Sequence, residues 1–252
     1  SVEGDAKGGA IYNANGAQIK SITADFISNT SSNNGGAIYN AGMISDGDGI
    51  LGNFKDNIAN ANGGAIYNAS GAKITSILSV EDGFTGNLAE NNDGGAIKNE
   101  GTITSIDSNF TGNKAGGSGG AIYNKGLIGT KDSETEVVTG GITGNFKENT
   151  AKNGGAIANS GGTIGDISGD FESNSAVNSG GAISNEGTIT SITGNFESNT
   201  ASDNGGIKVV VQVAGSLLVG LHTGGVVDLA HQLLRPWQAV VQLVLLAVVH
   251  VV

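Results

Sequence analysis

Two short motifs recur in the same order along the first 206 residues, and this repetition constrains the fold more than any other feature. The tetrad Gly-Gly-Ala-Ile and the motif Phe-x-x-Asn each occur seven times, and the second uses every phenylalanine of the chain. The tetrads begin at Gly8, Gly35, Gly63, Gly94, Gly119, Gly154 and Gly180, and the other motifs at Phe26, Phe54, Phe84, Phe110, Phe146, Phe171 and Phe196. A recurring unit of this size indicates a solenoid in which each repeat stacks on the next.

A third apolar element, a pair of isoleucines three residues apart, lies between the two motifs. It occurs as Ile19 and Ile22, Ile74 and Ile77, Ile103 and Ile106, Ile164 and Ile167, and Ile189 and Ile192. Short apolar runs divided by Gly, Asn, Ser and Asp are typical of strands, and a single proline suits strands that pair on both sides. We therefore predict an all-β fold over residues 1–206, a parallel β-helix of about seven coils with three strands in each coil.

Stacking at about 4.8 Å per coil would turn equivalent residues into columns. We expect one buried column of phenylalanines, and a ladder of the asparagines that follow each tetrad by one residue. Strand alternation places the tetrad isoleucine and the next residue on opposite faces. That next residue is Tyr, Tyr, Tyr, Lys, Tyr, Ala and Ser in order, and Lys98 marks the position as solvent-facing.

The four tyrosines of the chain all occupy that outward position, and three of them belong to consecutive coils. Tyr12, Tyr39, Tyr67 and Tyr123 are therefore expected to form a surface stripe. Exposed aromatic residues on a rigid lattice supply contact area for glycans or partner proteins at low entropic cost. The alternative is that tyrosine is present because it favours strands.

Length variation is confined to the segment between the tetrad and the next phenylalanine. The longest segment, from Gly126 to Phe146, carries Lys131, Asp132, Glu134 and Glu136, and a shorter excess lies from Leu78 to Gly83. We expect both to project as loops from the same corner and to contribute to binding, because loops on rigid scaffolds often carry recognition. The alternative is that they are tolerated insertions.

Charge and composition exclude several classes of function. The formal net charge is −11 and the chain has a single arginine, which argues against nucleic-acid binding. Without cysteine there is no thiolate metal site, and Asp46-Gly47-Asp48-Gly49 lacks the distal glutamate of a calcium loop. The carboxylate pairs Glu81/Asp82 and Glu134/Glu136 do not recur in neighbouring coils. We expect no cofactor, no metal and no catalytic residues.

The last 46 residues differ from the repeats. Residues 207–252 contain no asparagine and are rich in valine, and neither of their apolar runs reaches the roughly 20 residues of a membrane-spanning helix. Three interpretations stay open for this hydrophobic tail: a changed reading frame, a cap on the last coil, or weak membrane association.

The paired motifs, as in FKDNIANANGGAIYN and FKENTAKNGGAIAN, resemble the passenger repeats of bacterial polymorphic outer membrane proteins and autotransporter adhesins. The resemblance covers about 200 residues. It implies a right-handed β-helix on the bacterial cell surface, or secreted, that binds a host-cell protein or glycan without being an enzyme. We expect membrane attachment only through a translocator absent from this chain. A polysaccharide lyase or hydrolase on the same fold, and a purely structural spacer, are the alternatives.

Overall fold

The computed structural model describes residues 6–79, 81–203 and 208–209. In this part of the chain all regular structure is strand, and apart from one hairpin every strand pairs in parallel with its equivalent in neighbouring repeats. The predicted all-β parallel solenoid of about seven turns is confirmed. Its right-handed winding stays a prediction. None of the described residues belongs to a helix that could cross a membrane.

Each coil passes through four sheets in turn. The tetrad sheet contains Ile11–Asn13, Ile38–Asn40, Ile66–Asn68, Ile97–Asn99, Ile122–Asn124, Ile157–Asn159, Ile183–Asn185 and Lys208–Val209. The isoleucine sheet contains Gln18–Thr23, Met43–Leu51, Lys73–Leu78, Thr102–Asp107, Leu127–Ile128, Gly141–Thr143, Thr163–Ser168 and Thr188–Thr193. The phenylalanine sheet contains Phe26–Ile27, Phe54–Lys55, Phe84–Thr85, Phe110–Thr111, Phe146–Lys147, Phe171–Glu172 and Phe196–Glu197. The alanine sheet contains Thr30–Ser31, Ile58–Ala59, Leu88–Ala89, Lys114–Ala115, Thr150–Asn153, Ser175–Ser179 and Thr200–Ala201.

The fourth strand of each coil corrects the prediction of three. Its repeated residue is a small one, buried in all but the last coil: Ser31, Ala59, Ala89, Ala115, Ala151, Ala176 and Ala201. Alanine carries little apolar area, so a column of alanines gives almost no hydrophobic signal in the sequence. The backbone pairing of these strands, and not their side chains, reveals the sheet.

The phenylalanines form the predicted column. Neighbouring rings stack with centroids 4.6 to 4.9 Å apart and planes within 8° of parallel. From Phe54 to Phe171 the side chains are fully buried, whereas Phe196 is only partly buried. The tetrad isoleucines and the isoleucine pairs complete the same core. One continuous apolar column therefore runs through the coils and sets their register.

Two asparagine ladders run parallel to this core. In the predicted ladder, from Asn13 to Asn185, each side-chain amide donates to the Oδ1 of the next coil at 2.7 to 2.9 Å. The second ladder is built by the asparagine of Phe-x-x-Asn, from Asn29 to Asn199, and was not predicted. From Asn57 onward, its amides also donate to a phenylalanine carbonyl in the preceding coil. Within the described residues, no buried side-chain nitrogen or oxygen lacks a hydrogen-bond partner.

The glycine pair makes the corner before the tetrad strand. The first glycine of each of the seven tetrads has a φ between 59° and 72°, a conformation that L side chains rarely adopt. The second glycine lies so close to the next coil that a Cβ at Gly64 would overlap the carbonyl oxygen of Gly95. The two glycines therefore serve different purposes, the first a backbone angle and the second the close approach of coils.

The tetrad sheet continues past the predicted end of the repeats at residue 206 by one short strand. Lys208 and Val209 pair with Ser184 and Asn185, so the tetrad sheet gains an eighth strand from the start of the tail. The three interpretations concern the whole tail, residues 207–252, and apart from Lys208 and Val209 that segment lies outside the described residues.

Candidate functional site

The outward positions of the tetrad sheet form one continuous row along the solenoid, which we call the outer row. Backbone register aligns its seven members: Tyr12, Tyr39, Tyr67, Lys98, Tyr123, Ala158 and Ser184. The first three tyrosine rings stack with centroids 5.4 and 5.1 Å apart. The predicted stripe therefore exists, and Lys98 interrupts it before Tyr123.

Exposure falls along the row from its first coil to its centre. Tyr12 is 57% exposed and Tyr39 is intermediate, whereas Tyr67 and Lys98 are both only 9% exposed. The prediction that Lys98 faces solvent is therefore wrong. Its ammonium contacts Asp93 at 3.1 Å and Glu100 at 3.6 Å, and lies 4.9 Å from the ring centre of Tyr123. Acidic residues from the turns on either side of the strand cover it.

Tyr67 is held in the same cluster of charges. Its hydroxyl donates to Glu100 Oε2 at 2.6 Å. Burial, and then this hydrogen bond to a carboxylate, raise the pKa of Tyr67 far above the usual value. Of the predicted stripe, only the Tyr12 end is freely open to a partner, while Tyr67 is part of a closed polar network.

A pocket opens where the large side chains of the outer row end, and we call it the Tyr123 pocket. Ala158 and Ser184 replace an aromatic residue in its floor, and Tyr123 forms one wall. Its volume is about 190 Å³, and its other lining residues include Asp93, Ser118, Asn153, Ser179 and Glu186. Sequence analysis noted Ala158 and Ser184 only as tolerated substitutions. The interruption of the tyrosine pattern was the signal that could have revealed the pocket.

The long insertion forms an antiparallel hairpin, Thr130–Lys131 with Val138–Thr139. All four predicted binding residues on it are exposed. Lys131 forms an ion pair with Glu136, and Asp132 Oδ1 accepts hydrogen bonds from the backbone of Glu134 and Thr135. The Thr135 hydrogen bonds are the main reason that the pKa of Asp132 lies below its usual value. Asp132 thus stabilises the turn, and Glu134 is the carboxylate at the tip without such a structural role among the described contacts.

The two insertions do not share a corner, which corrects the prediction. The hairpin interrupts the isoleucine strand, because Ile103 and Ile106 align with Ile128 and Ile142 on either side of it. The excess near Leu78 lies instead in the turn that leads to Phe84. A third insertion, around Asp46 to Asp48, interrupts the isoleucine strand at the equivalent place in the second coil, between Ile44 and Ile50. The isoleucine pairs of these two coils escaped the sequence pattern because insertions separate their members.

A groove of about 540 Å³ lies over the phenylalanine sheet beside the Glu81–Asp82 insertion. Its carboxylates come from distant coils, since Glu81 and Asp82 precede Phe84 whereas Asp170 and Glu172 flank Phe171, three coils or about 14 Å further along. Glycosidase carboxylates lie about 5 to 9.5 Å apart. Asp170 and Glu172 share a coil, but Asp170 accepts two hydrogen bonds from Asn195 and Glu172 pairs with Lys147 at 3.0 Å.

No metal site is evident in the part of the chain that the structure describes. There, no group of three His, Cys, Asp or Glu side chains is arranged to hold an ion. Asp93 and Glu100, beside the outer row, lie around the ammonium of Lys98, which balances one of their two charges.

Stacked parallel coils with a phenylalanine column and asparagine ladders define a β-solenoid repeat protein. The family model of the Chlamydia polymorphic membrane protein repeat matches residues 23–41, 107–125 and 168–186. Each match spans one Phe-x-x-Asn motif and the following tetrad. Three of the seven repeats therefore match the polymorphic membrane protein repeat, and the resemblance noted from the motifs is confirmed. Comparisons with curated proteins and with solved structures found no match.

These repeats on a β-solenoid indicate a surface passenger domain. The family implies a location at the bacterial outer membrane or surface, and its proteins are generally non-enzymatic.

Proposed function

We propose that this chain is a non-enzymatic adhesin passenger that binds a host-cell surface protein or glycan through the outer row. The observation that carries the proposal is the open Tyr12 and Tyr39 stack, which leads along the row into the Tyr123 pocket. The solenoid beneath holds these groups rigid, so binding costs little conformational entropy. Tyrosine offers a flat apolar ring with a polar hydroxyl, which suits both proteins and sugars.

The hairpin of the fifth coil is a second contact region in this proposal. Its residues Lys131, Asp132, Glu134 and Glu136 are exposed on a hairpin inserted in the isoleucine sheet, whereas the outer row belongs to the tetrad sheet. Because Lys131, Asp132 and Glu136 already contact groups within the hairpin, we expect it to contribute less than the tyrosines. This weighting makes the two regions separable by mutation.

The experiment measures adhesion of beads coated with the full chain to cultured host cells. The variant Tyr12→Ser with Tyr39→Ser removes the open part of the row, and we expect adhesion to fall by about tenfold or more, since single hot-spot residues contribute about 2 kcal/mol. A second variant replaces residues 129–141 by Thr-Ser, the residues that join Ile103 to Ile106. A matched control makes the same replacement of residues 45–49 in the second coil and should adhere like the parent chain.

Thermal unfolding of each variant shows whether the solenoid is retained. Adhesion that survives in both the double tyrosine variant and the hairpin variant would contradict the proposed binding regions. A parent chain that does not adhere to any host cell would favour the structural spacer.

A further inference from the structure

Two consecutive coils of the outer row lack the large side chain that the earlier coils carry, which leaves a vacancy in the row. In four of the first five coils the outward position holds a tyrosine, and in the remaining one it holds Lys98. After Tyr123 the next two coils hold only Ala158 and Ser184 at this position. The Tyr123 pocket occupies the space in which further rings would have stacked.

One face of the Tyr123 ring is directed into this vacancy. The ammonium of Lys98, from the preceding coil, lies over the other face at 4.9 Å from the ring centre. The following coil places Ala158 in register with Tyr123, and both residues line the pocket. A flat ring entering the pocket would therefore stack on Tyr123 as Tyr39 stacks on Tyr12.

The walls of the pocket are polar and ordered by hydrogen bonds. Asp93 accepts from the backbone N–H of Ser118 at 2.9 Å, and the Asn153 amide donates to Ser118 Oγ at 3.1 Å. On the opposite side Glu186 accepts from the Ser160 hydroxyl at 3.3 Å. Hydroxyl, amide and carboxylate groups thus surround a small apolar floor, which gives the pocket both hydrogen-bond donors and acceptors.

The charge of the site disfavours an anionic ligand. Asp93 and Glu186 line the pocket with carboxylates, and Lys98 pairs with Asp93 at 3.1 Å, so the charge of Asp93 is balanced while Glu186 is available as a hydrogen-bond acceptor. The volume of about 190 Å³ is below the roughly 300–1,000 Å³ of pockets that enclose a drug-sized ligand, so the pocket takes one ring of a larger molecule. A ring with an apolar face and a hydroxylated edge satisfies all of these conditions.

We propose that the Tyr123 pocket binds a single neutral pyranose ring, stacked on Tyr123 and hydrogen-bonded at its edge to Asn153, Ser179 and Glu186. The inference rests on the proposed adhesive function, since it names the ligand class for one end of the outer row. The ring is the terminal or branching sugar of a surface glycan, because the pocket is open to solvent and small.

The test uses the full chain and a panel of neutral methyl glycosides, with binding detected by saturation-transfer NMR and quantified by calorimetry. Ala158→Tyr restores the Gly-Gly-Ala-Ile-Tyr-Asn sequence of four other coils and fills the vacancy. Tyr123→Ala removes the stacking surface. We expect at least one glycoside to bind with millimolar affinity and both variants to weaken it more than tenfold.

Glu186→Gln is the matched charge control. A neutral sugar keeps a hydrogen bond to the amide, so we expect its affinity to change less than threefold. Tetramethylammonium is the cationic probe: if it binds in place of the sugars and is lost in Glu186→Gln, the proposal is wrong. Absence of glycoside binding to the parent chain, or binding unaffected by Ala158→Tyr, also overturns it.

Adhesion assays separate this inference from the proposed function. If the parent chain adheres to cells but neither Ala158→Tyr nor free glycoside reduces adhesion, the sugar pocket is overturned and the adhesin remains. If glycoside binding is lost in Ala158→Tyr but the parent chain does not adhere, the pocket is supported and the adhesive function fails.

Discussion

The inward and outward faces of the tetrad strands follow opposite rules. Inward, the same isoleucine recurs in all seven tetrads and joins one continuous core. Outward, the residue changes from tyrosine to lysine, alanine and serine, and exposure changes with it from 57% at Tyr12 to 9% at Lys98. A buried column requires identical shapes because each layer packs on the layers above and below. The outward face has no such requirement, and there the sequence is available for recognition.

The variant with the largest expected effect on stability is Phe110→Ala. The ring lies between Phe84 and Phe146 in the buried stack, so truncation leaves a cavity in one layer that is bordered by the rings of the two neighbouring layers. We expect the free energy of unfolding, measured by urea titration, to fall by about 3–5 kcal/mol. The control Thr111→Ala changes the neighbouring outward residue of the same strand and should shift stability by no more than about 0.5 kcal/mol. Equal losses of unfolding free energy in Phe110→Ala and Thr111→Ala would contradict the contrast between inward and outward positions.

The next effect concerns the unpredicted asparagine ladder. Asn113 accepts two hydrogen bonds from Asn87 and donates to the carbonyl of Phe84 at 2.8 Å. Asn113→Ala leaves the buried N–H of Asn87 without its side-chain acceptor and removes one of the two acceptors of the Asn87 amide, at about 1–3 kcal/mol for each unsatisfied group. We expect a net loss of about 2–4 kcal/mol in urea unfolding. Asn60→Ala, at an exposed position bonded to Asn91, is the control and should cost less than about 0.5 kcal/mol.

Tyr67 sharpens the comparison, because it is an outward residue with an interior environment. Its pKa is raised in the folded protein, so we expect one tyrosine to ionise well above the usual tyrosine pKa of about 10 in an ultraviolet titration. The neutral Tyr67 hydroxyl makes its full contribution to the free energy of unfolding below pH about 10. This contribution is lost as the pH rises from there toward the folded-state pKa. Tyr67→Phe should remove this transition, and Glu100→Gln should lower its midpoint. A midpoint unchanged in Glu100→Gln would contradict the assigned cause.

The smallest effect lies at the corner after each phenylalanine. The second residue after it has a φ between 52° and 65° in all seven coils, at Ser28, Asp56, Gly86, Gly112, Glu148, Ser173 and Ser198. A side chain in this conformation costs about 1–2 kcal/mol, partly offset by the entropy of glycine in the unfolded chain. We expect Ser173→Gly to raise the free energy of unfolding by about 0.5 kcal/mol and Gly112→Ser to lower it similarly. The same sign in both variants would contradict this account.

The sequence predicted the parts of the fold that repeat without change. The phenylalanine column, the first asparagine ladder and the glycine corners each follow from one residue type at one recurring position. It missed the alanine sheet, because alanine leaves almost no hydrophobic signal. It also misplaced the long insertion, because Ile128 and Ile142 belong to one interrupted strand although 13 residues separate them.

For the candidate site, the sequence predicted the residues but not their surroundings. The repeat pattern places Tyr12, Tyr39 and Tyr67 on one face, in agreement with the stacked rings of the structure. Only the structure shows that Glu100 accepts a hydrogen bond from Tyr67. The pocket beside Tyr123 likewise depends on side chains from turns that are distant in sequence, such as Asp93 and Asn153.

The sequence by itself determined the stacking of the coils, because a column of identical residues is satisfied only when equivalent positions of every repeat are aligned. The tertiary structure decided which outward residues are open and which are covered. That outcome depends on how the turns before and after each strand fold over it, and those turns do not repeat. Lys98 and Tyr12 occupy the same place in the repeat, and they differ in exposure because Lys98 has Asp93 and Glu100 beside it and a strand on each side, whereas Tyr12 lies in the edge strand of its sheet.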